Sequence, residues 1–208
     1  YVAAASPQEL VGSFEDALEN IGSRIGGAAS AAANSGSISS TSRIFQAKFD
    51  TDDWHGELLA FQVNNDGTLA GTPIWNADTL LSAKSDAQLG SNAGGRDVWT
   101  WNNDGNSPTG TAFEWSSISQ DQQDLLNTPP NGGVPDNLGS DRLRYVRGDS
   151  SQEQSRGGIF RNRTHKMGDV VNSDPVYVGY PPFFYSFDNY QNFFNTHVGR
   201  TGVIYFGA

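Results

Sequence analysis

Residues 141–179 read DRLRYVRGDSSQEQSRGGIFRNRTHKMGDVVNSDPVYVG, and two signals that are scarce elsewhere in the chain coincide there. The first is charge. Seven of the thirteen basic residues, Arg142, Arg144, Arg147, Arg156, Arg161, Arg163 and Lys166, fall between positions 141 and 166, against Asp141, Asp149 and Glu153. This window carries about +4 in a chain whose formal net charge is −10, a segregation by sign that composition alone does not produce. The second signal is extended backbone. Residues 168–173 read as an extended segment and a polar turn, after which Asp174-Pro175 opens Val176-Tyr177-Val178 as a β-strand. The expectation from these letters is a basic loop feeding a sheet.

The same residues carry a likeness. Arg142-Leu143 with YVRGD at 145–149, FRNR at 160–163, Gly168-Asp169, and NSDPVYVG at 172–179 resemble, at matching spacing, the signature of the PilC/PilY family. These are large adhesins of bacterial type IV pilus tips. Two clusters in register are far more specific than one short motif. The resemblance implies a carboxy-terminal β-propeller following a von Willebrand factor A-type domain. It also implies a role in pilus assembly, retraction control and host attachment.

Working outward, residues 43–49 (RIFQAKF) alternate, with Ile44, Gln46 and Lys48 on one face and Phe45, Ala47 and Phe49 on the other. Acidic turn residues at 50–53 send the chain back through WHGELLAFQV at 54–63, so a hairpin is expected. It is similar to the propeller entry of the family. Asn65-Asp66-Gly67 supplies the next turn and Pro73-Ile74-Trp75 a short strand. A short helix is expected within 76–87, strands at 96–101 and 113–115, turn chemistry from 102 to 110, and a helix over 119–126. Residues 127–138, with Pro129, Pro130 and Pro135, must be loop. Residues 180–198 hold eight aromatics and little aliphatic bulk, and are expected as a packed flap over the sheet rather than an exposed adhesive surface. A final strand is expected at 201–206.

Towards the start, Ser6-Pro7 with Glu9 forms a capping box, and Leu10, Phe14, Leu18, Ile21 and Ile25 follow as one helical stripe. The stripe is similar to the last helix of a von Willebrand factor A-type domain. Residues 28–42 are small and polar, and read as a linker. The expected fold is therefore mainly β. It comprises residues 1–27 as the terminal helix of a preceding domain, 28–42 as linker, and 43–208 as a partial, incomplete β-propeller. At about 40–50 residues per four-stranded blade, 43–208 falls short of the ring that the family implies, and both ends read as cut from something larger.

Composition removes several classes of function. With no cysteine, disulfides, cysteine-ligated zinc and thiol catalysis are excluded. The strongly negative balance opposes nucleic acid and anionic membrane surfaces. No stretch approaches the roughly 20 apolar residues of a membrane span, and no signal peptide is legible. Asp50, Asp52, Asp53 and Glu57 offer oxygens, but an EF-hand loop starting at Asp50 would place His55 where glycine is required and Phe61 where glutamate is required. Turns therefore account for these acids. No metal ligand is assigned, no cofactor is expected in this segment, and the family likeness places calcium elsewhere in the full-length protein. The histidines His55, His165 and His197 come without a nucleophile elbow or a zinc-protease motif, so no catalytic residue is assigned.

Two candidate binding features remain. Arg147-Gly148-Asp149 is an RGD tripeptide, either a receptor ligand at a loop tip or a glycine turn whose charged ends pair with neighbours. A similar tripeptide in the family's corresponding segment favours the scaffold. The basic residues Arg142, Arg144, Arg156, Arg161 and Arg163 form either a surface for an acidic partner or internal partners for the chain's own carboxylates. The resulting expectation is a non-enzymatic pilus tip adhesin and biogenesis factor outside the bacterial cell, contacting minor pilins or a host surface receptor. The alternatives are a propeller-scaffold enzyme such as a quinoprotein dehydrogenase, to which NSDPVYVG has a generic likeness, and a self-associating fragment pairing through an open strand edge.

Overall fold

The computed structural model describes residues 30–33, 42–102, 109–171, 173–181, 183 and 185–208; the helix expected within 1–27 lies outside them. The chain divides into two compact units, one from Tyr1–Leu81 with Met167–Ala208, the other from Ser82–Lys166.

The first unit is organised by the expected hairpin. β2 (Arg43–Asp50) and β3 (His55–Gln62) pair antiparallel with Phe45 opposite Ala60 and Ala47 opposite Leu58. A period of two sends these four residues to one face, where they form a core with Met167 and Val170. In the connecting turn, the Asp50 carboxylate accepts the Asp52 N–H at 2.8 Å and Trp54 takes a left-handed φ of 57°. β1 (Ser30–Ala33) pairs with β2, and β4 (Trp75–Asn76) pairs with β3, giving the order β1-β2-β3-β4. Four residues of the stretch expected as linker thus belong to the sheet. Between β3 and β4, Asp66 accepts both the N–H and the hydroxyl of Thr68, at 3.0 and 2.7 Å, and Gly67 turns at φ 84°.

The proline-led strand arrives as expected. β7 (Val176–Val178) pairs with β8 (Val203–Tyr205), and Tyr177 and Ile204 pack against the core. Tyr177 stacks on Phe45 at 5.7 Å, and Phe45 stacks on Trp75 at 6.0 Å. After β4, α1 (Ala77–Ser82) starts where the Asn76 side chain accepts the Asp78 N–H at 2.9 Å; buried Asp78 in turn accepts the Met167 N–H. This bond ties the chain where it re-enters the first unit at Met167 to the start of α1.

The second unit carries the hairpin of β5 (Trp99–Asn102) and β6 (Thr109–Ala112), with α2 (Asp86–Gly90), α3 (Gln120–Asn127) and α4 (Gly139–Val146). Ser85 and Ser119 cap α2 and α3, each in a capping box closed by a glutamine three residues on. Three expectations need correction. The basic stretch opens as helix, Gly139–Val146, and runs as loop only after it, because Leu143 is the buried position of a turn whose basic residues point elsewhere. Residues 113–115 form a turn and the strand precedes them, since Trp99 to Asn102 take their partners from Ala112 back to Thr109. Residues 180–198 include the helix α5 (Asp188–His197), and their rings pack on one another rather than as a flap over the sheet. The described architecture is accordingly mixed: small antiparallel sheets with several helices, and no closed barrel among the described residues.

Gly56 shows how closely the first unit is packed. A methyl group built there would meet the Gly168 carbonyl oxygen, Val170 Cγ2 at 2.5 Å and the Val170 N at 2.8 Å. Gly56→Ala is therefore expected to destabilise the fold by about 1–3 kcal/mol through overpacking. Denaturant unfolding measures it, and an unchanged midpoint would contradict the close approach.

Candidate functional site

The basic window that dominated the sequence folds into a network inside the second unit. At its centre Arg147 is only 1 % exposed. Its Nε donates to the Leu89 carbonyl at 2.8 Å, Nη1 to that of Phe113 at 2.9 Å, and Nη2 to that of Arg96 at 3.2 Å. One planar guanidinium thereby satisfies three carbonyls from three separate segments, for which a five-donor fork is suited and an ammonium is not. Arg96 returns a bond from Nη1 to the Arg147 carbonyl. Burial pulls the Arg147 pKa down against the pull of Glu114 and Asp97; burial and the cations Arg147 and Arg163 lower that of Arg96.

Gly148 turns at φ 107°, a conformation that favours glycine, and Asp149 follows, 2 % exposed. Arg144 Nε and Nη2 reach Asp149 Oδ2 at 2.7 and 2.6 Å, while Oδ1 accepts the Ser151 N–H at 2.7 Å. The tripeptide's charged ends are therefore turned inward.

The other arginines follow the same logic. Arg163 bonds Glu153 Oε1 at 2.9 Å and the carbonyls of Tyr145 and Asp149 at 2.7 and 2.8 Å, with its guanidinium carbon 3.7 Å from the Tyr145 ring centroid. Arg156 pairs with Asp86, whose other oxygen accepts the Ser150 N–H at 2.8 Å. Burial alone would raise the Asp86 carboxyl; the Ser150 N–H and Arg156 outweigh it and hold it below the usual range. Arg142 binds both oxygens of Asp136 and donates to the Leu126 carbonyl at 2.8 Å, completing the end of α3 with a cation where the helix dipole is negative. Arg161 is exposed, and its carbonyl accepts the Tyr145 hydroxyl at 3.1 Å. Of the five arginines named as a candidate basic surface, four are spent on the chain's own carboxylates.

In the first unit a run of aromatic rings is stacked and partly exposed. Phe183, Tyr185 and Phe187 stack successively at 5.3 and 5.4 Å. Tyr190 sets its edge to Tyr185 at 5.2 Å, Phe193 follows at 5.8 Å, and His197 lies 4.5 Å from Phe193. Positions 187, 190, 193 and 197 repeat at helical spacing, a signal readable in the sequence once the stretch is taken as helix.

No protein-family model matches the chain, and no solved structure matches it. Curated sequences do, over its whole length. The chain matches one segment of proteins of the PilC/PilY family. It is 31% identical over 226 residues to the Type IV pilus biogenesis factor PilY1 of Pseudomonas aeruginosa strain PAK, covering 100% of this chain and 18% of that protein. The PilY1 homolog of Xylella fastidiosa strain Temecula1 is 30% identical over 216 residues, covering 100% of this chain and 15% of that protein. The chain thus spans less than a fifth of the length of these relatives.

Two outcomes follow from the network. Arg147→Met is expected to cost about 3 kcal/mol or more, because each buried acceptor left unpaired costs ~1–3 kcal/mol, whereas Arg161→Met should stay within about 0.5 kcal/mol. Parallel denaturant titrations compare them, and equal midpoints would sink the node. The Arg142 hydrogen bond lowers the Asp136 pKa to about 2. Its folded value lies below its unfolded one, so the stabilisation it gives is complete above about pH 4 and fades as pH falls towards 2. An NMR titration of the Asp136 carboxyl reads this directly; Arg142→Gln should return it towards the ordinary carboxylate range.

Proposed function

We propose that this chain is a working part of a type IV pilus biogenesis factor that acts outside the bacterial cell, at the pilus tip, without catalysis. The single observation that carries the reading is the match along the whole chain to proteins bearing that name. In this reading its partners are minor pilins and, at the host end, a surface receptor. The segment works through shape and surface rather than through a resident metal or cofactor, with calcium held elsewhere in the full-length protein.

The fold supports the finer architecture in one respect. β1 to β4 form an antiparallel meander in sequential order, the strand number and order of a propeller blade. We therefore read residues 43–208 as the opening part of a propeller, with its first blade strand supplied from within the 28–42 linker and residues 82–166 inserted between blade elements. Residues 1–27 are read as the terminal helix of a von Willebrand factor A-type domain.

The test is genetic and uses the full-length protein in its own cell. Removing the segment is expected to reduce pili recovered by shearing, and the intact protein should co-purify with the sheared tips. Normal piliation after removal, together with absence of the protein from the pilus fraction, would overturn the proposal.

A further inference from the structure

Arg163, which braces the second unit, also sets the stance of the residues on either side of it. Of the chain's 17 asparagines, Asn162 alone has a Ser or Thr two positions on, Thr164, and no proline stands between them. Asn-x-Ser/Thr is the acceptor pattern of N-glycosylation, and so short a pattern carries weight only where the fold presents it. Here the middle residue is rooted. The Arg163 side chain is only 13 % exposed and bonds Glu153 and the carbonyls of Tyr145 and Asp149. Asn162 and Thr164, on its two sides, are both exposed.

The loop that carries the acceptor is pinned as well. Phe160 bridges to Glu153, with the Gln154 N–H donating to the Phe160 carbonyl at 2.8 Å and the Phe160 N–H donating to that of Gln152 at 2.9 Å. Next to this bridge the Ser155 N–H donates to Asn162 Oδ1 at 2.8 Å. A main-chain N–H can bond only the oxygen of a carboxamide, so this contact settles which way the amide lies. Nδ2 is left without a hydrogen-bond partner among the described residues. An amide nitrogen shares its lone pair with the carbonyl and is a weak nucleophile, so a transferase has to reach it and twist it. An exposed Nδ2 with no bond to break meets that need.

We infer that Asn162 is an N-glycosylation site, accepting a sugar from a glycosyl diphosphate donor while Thr164 is the residue by which the transferase reads it. Nδ2 attacks the anomeric carbon; the new C–N bond forms as the bond from that carbon to the diphosphate oxygen breaks. The diphosphate leaves with the electron pair, one amide proton passes to a base on the transferase, and no oxidant or reductant is needed. The donor is nucleotide-linked or polyprenyl-linked, and the chemistry at Asn162 is the same for both. The inference rests on the extracellular reading above only for its setting, since an exported chain meets both kinds of donor.

Peptide mass spectrometry of the full-length protein, purified from its own cell, tests it. Chymotryptic cleavage keeps residues 161–167 together, where trypsin would cut after Arg163 and split the pattern. That peptide should carry the added mass of one or more sugar units, and electron-transfer fragmentation, which leaves sugars attached, should place it on Asn162. A single hexose already present on protein held in the cytoplasm marks the nucleotide-linked donor; an oligosaccharide confined to exported protein marks the polyprenyl-linked one. Asn162→Gln and Thr164→Ala should both abolish the addition, and Thr164→Ser should keep it. Thr164→Ala leaves the Asn162 amide and its bond to Ser155 in place, so it decides the matter even if Asn162→Gln fails to fold. An unmodified 161–167 peptide, a sugar found on another residue instead, or an addition that survives Thr164→Ala would overturn the inference. Piliation is scored separately, so an unmodified Asn162 leaves the pilus reading standing, and normal piliation without the segment leaves the peptide result intact.

Discussion

A guanidinium buried among main-chain carbonyls holds the second unit together. Leu89 at the end of α2, and Arg96 and Phe113 in irregular backbone, leave carbonyls pointing inward, and buried carbonyls without partners are costly. Arg147 answers all three at once, and Arg96 ties back to it. An arginine stays charged in such a place and cannot escape the cost of burial by losing its proton. The second unit is thus cross-braced by polar contacts, where the first is held by an apolar core of Phe45, Leu58, Met167 and Val170.

The same economy governs the charge of the whole chain. Arg142, Arg144, Arg156 and Arg163 each meet a carboxylate, and the cationic window is largely neutralised from within. Ion pairs of this sort contribute little net stability against replacement by apolar groups, yet removing one partner leaves a buried charge exposed to its full desolvation cost. They therefore fix how loops 127–138 and 148–163 run rather than how strongly the unit holds.

The two long signals of the sequence thus have opposite fates. NSDPVYVG, read as a strand opened by proline, delivers Tyr177 onto Phe45 and makes one wall of the core. RLRYVRGD, read as a loop, becomes a helix followed by a buried turn. An RGD in isolation carries no information about its own burial, since that depends on whether Leu89 and Phe113, more than thirty residues away, present carbonyls to it.

What the letters settled unaided was local: the β2–β3 hairpin with its two alternating faces, the helix α3, the turn at Asp66-Gly67, the proline-led strand, and the family likeness carried by two motifs in register. These rest on periodicity and capping, which act over a few residues. What only the tertiary structure decided was the destination of each charge and ring. Which arginine faces which carboxylate, that Ser30–Ala33 joins a sheet, that Gly56 must admit Val170, and that the aromatic run lies half exposed on α5 all depend on contacts between segments distant in sequence. Composition cannot specify such contacts, because the same arginine is a surface charge or a buried brace according to which carbonyls the fold brings within about 3 Å.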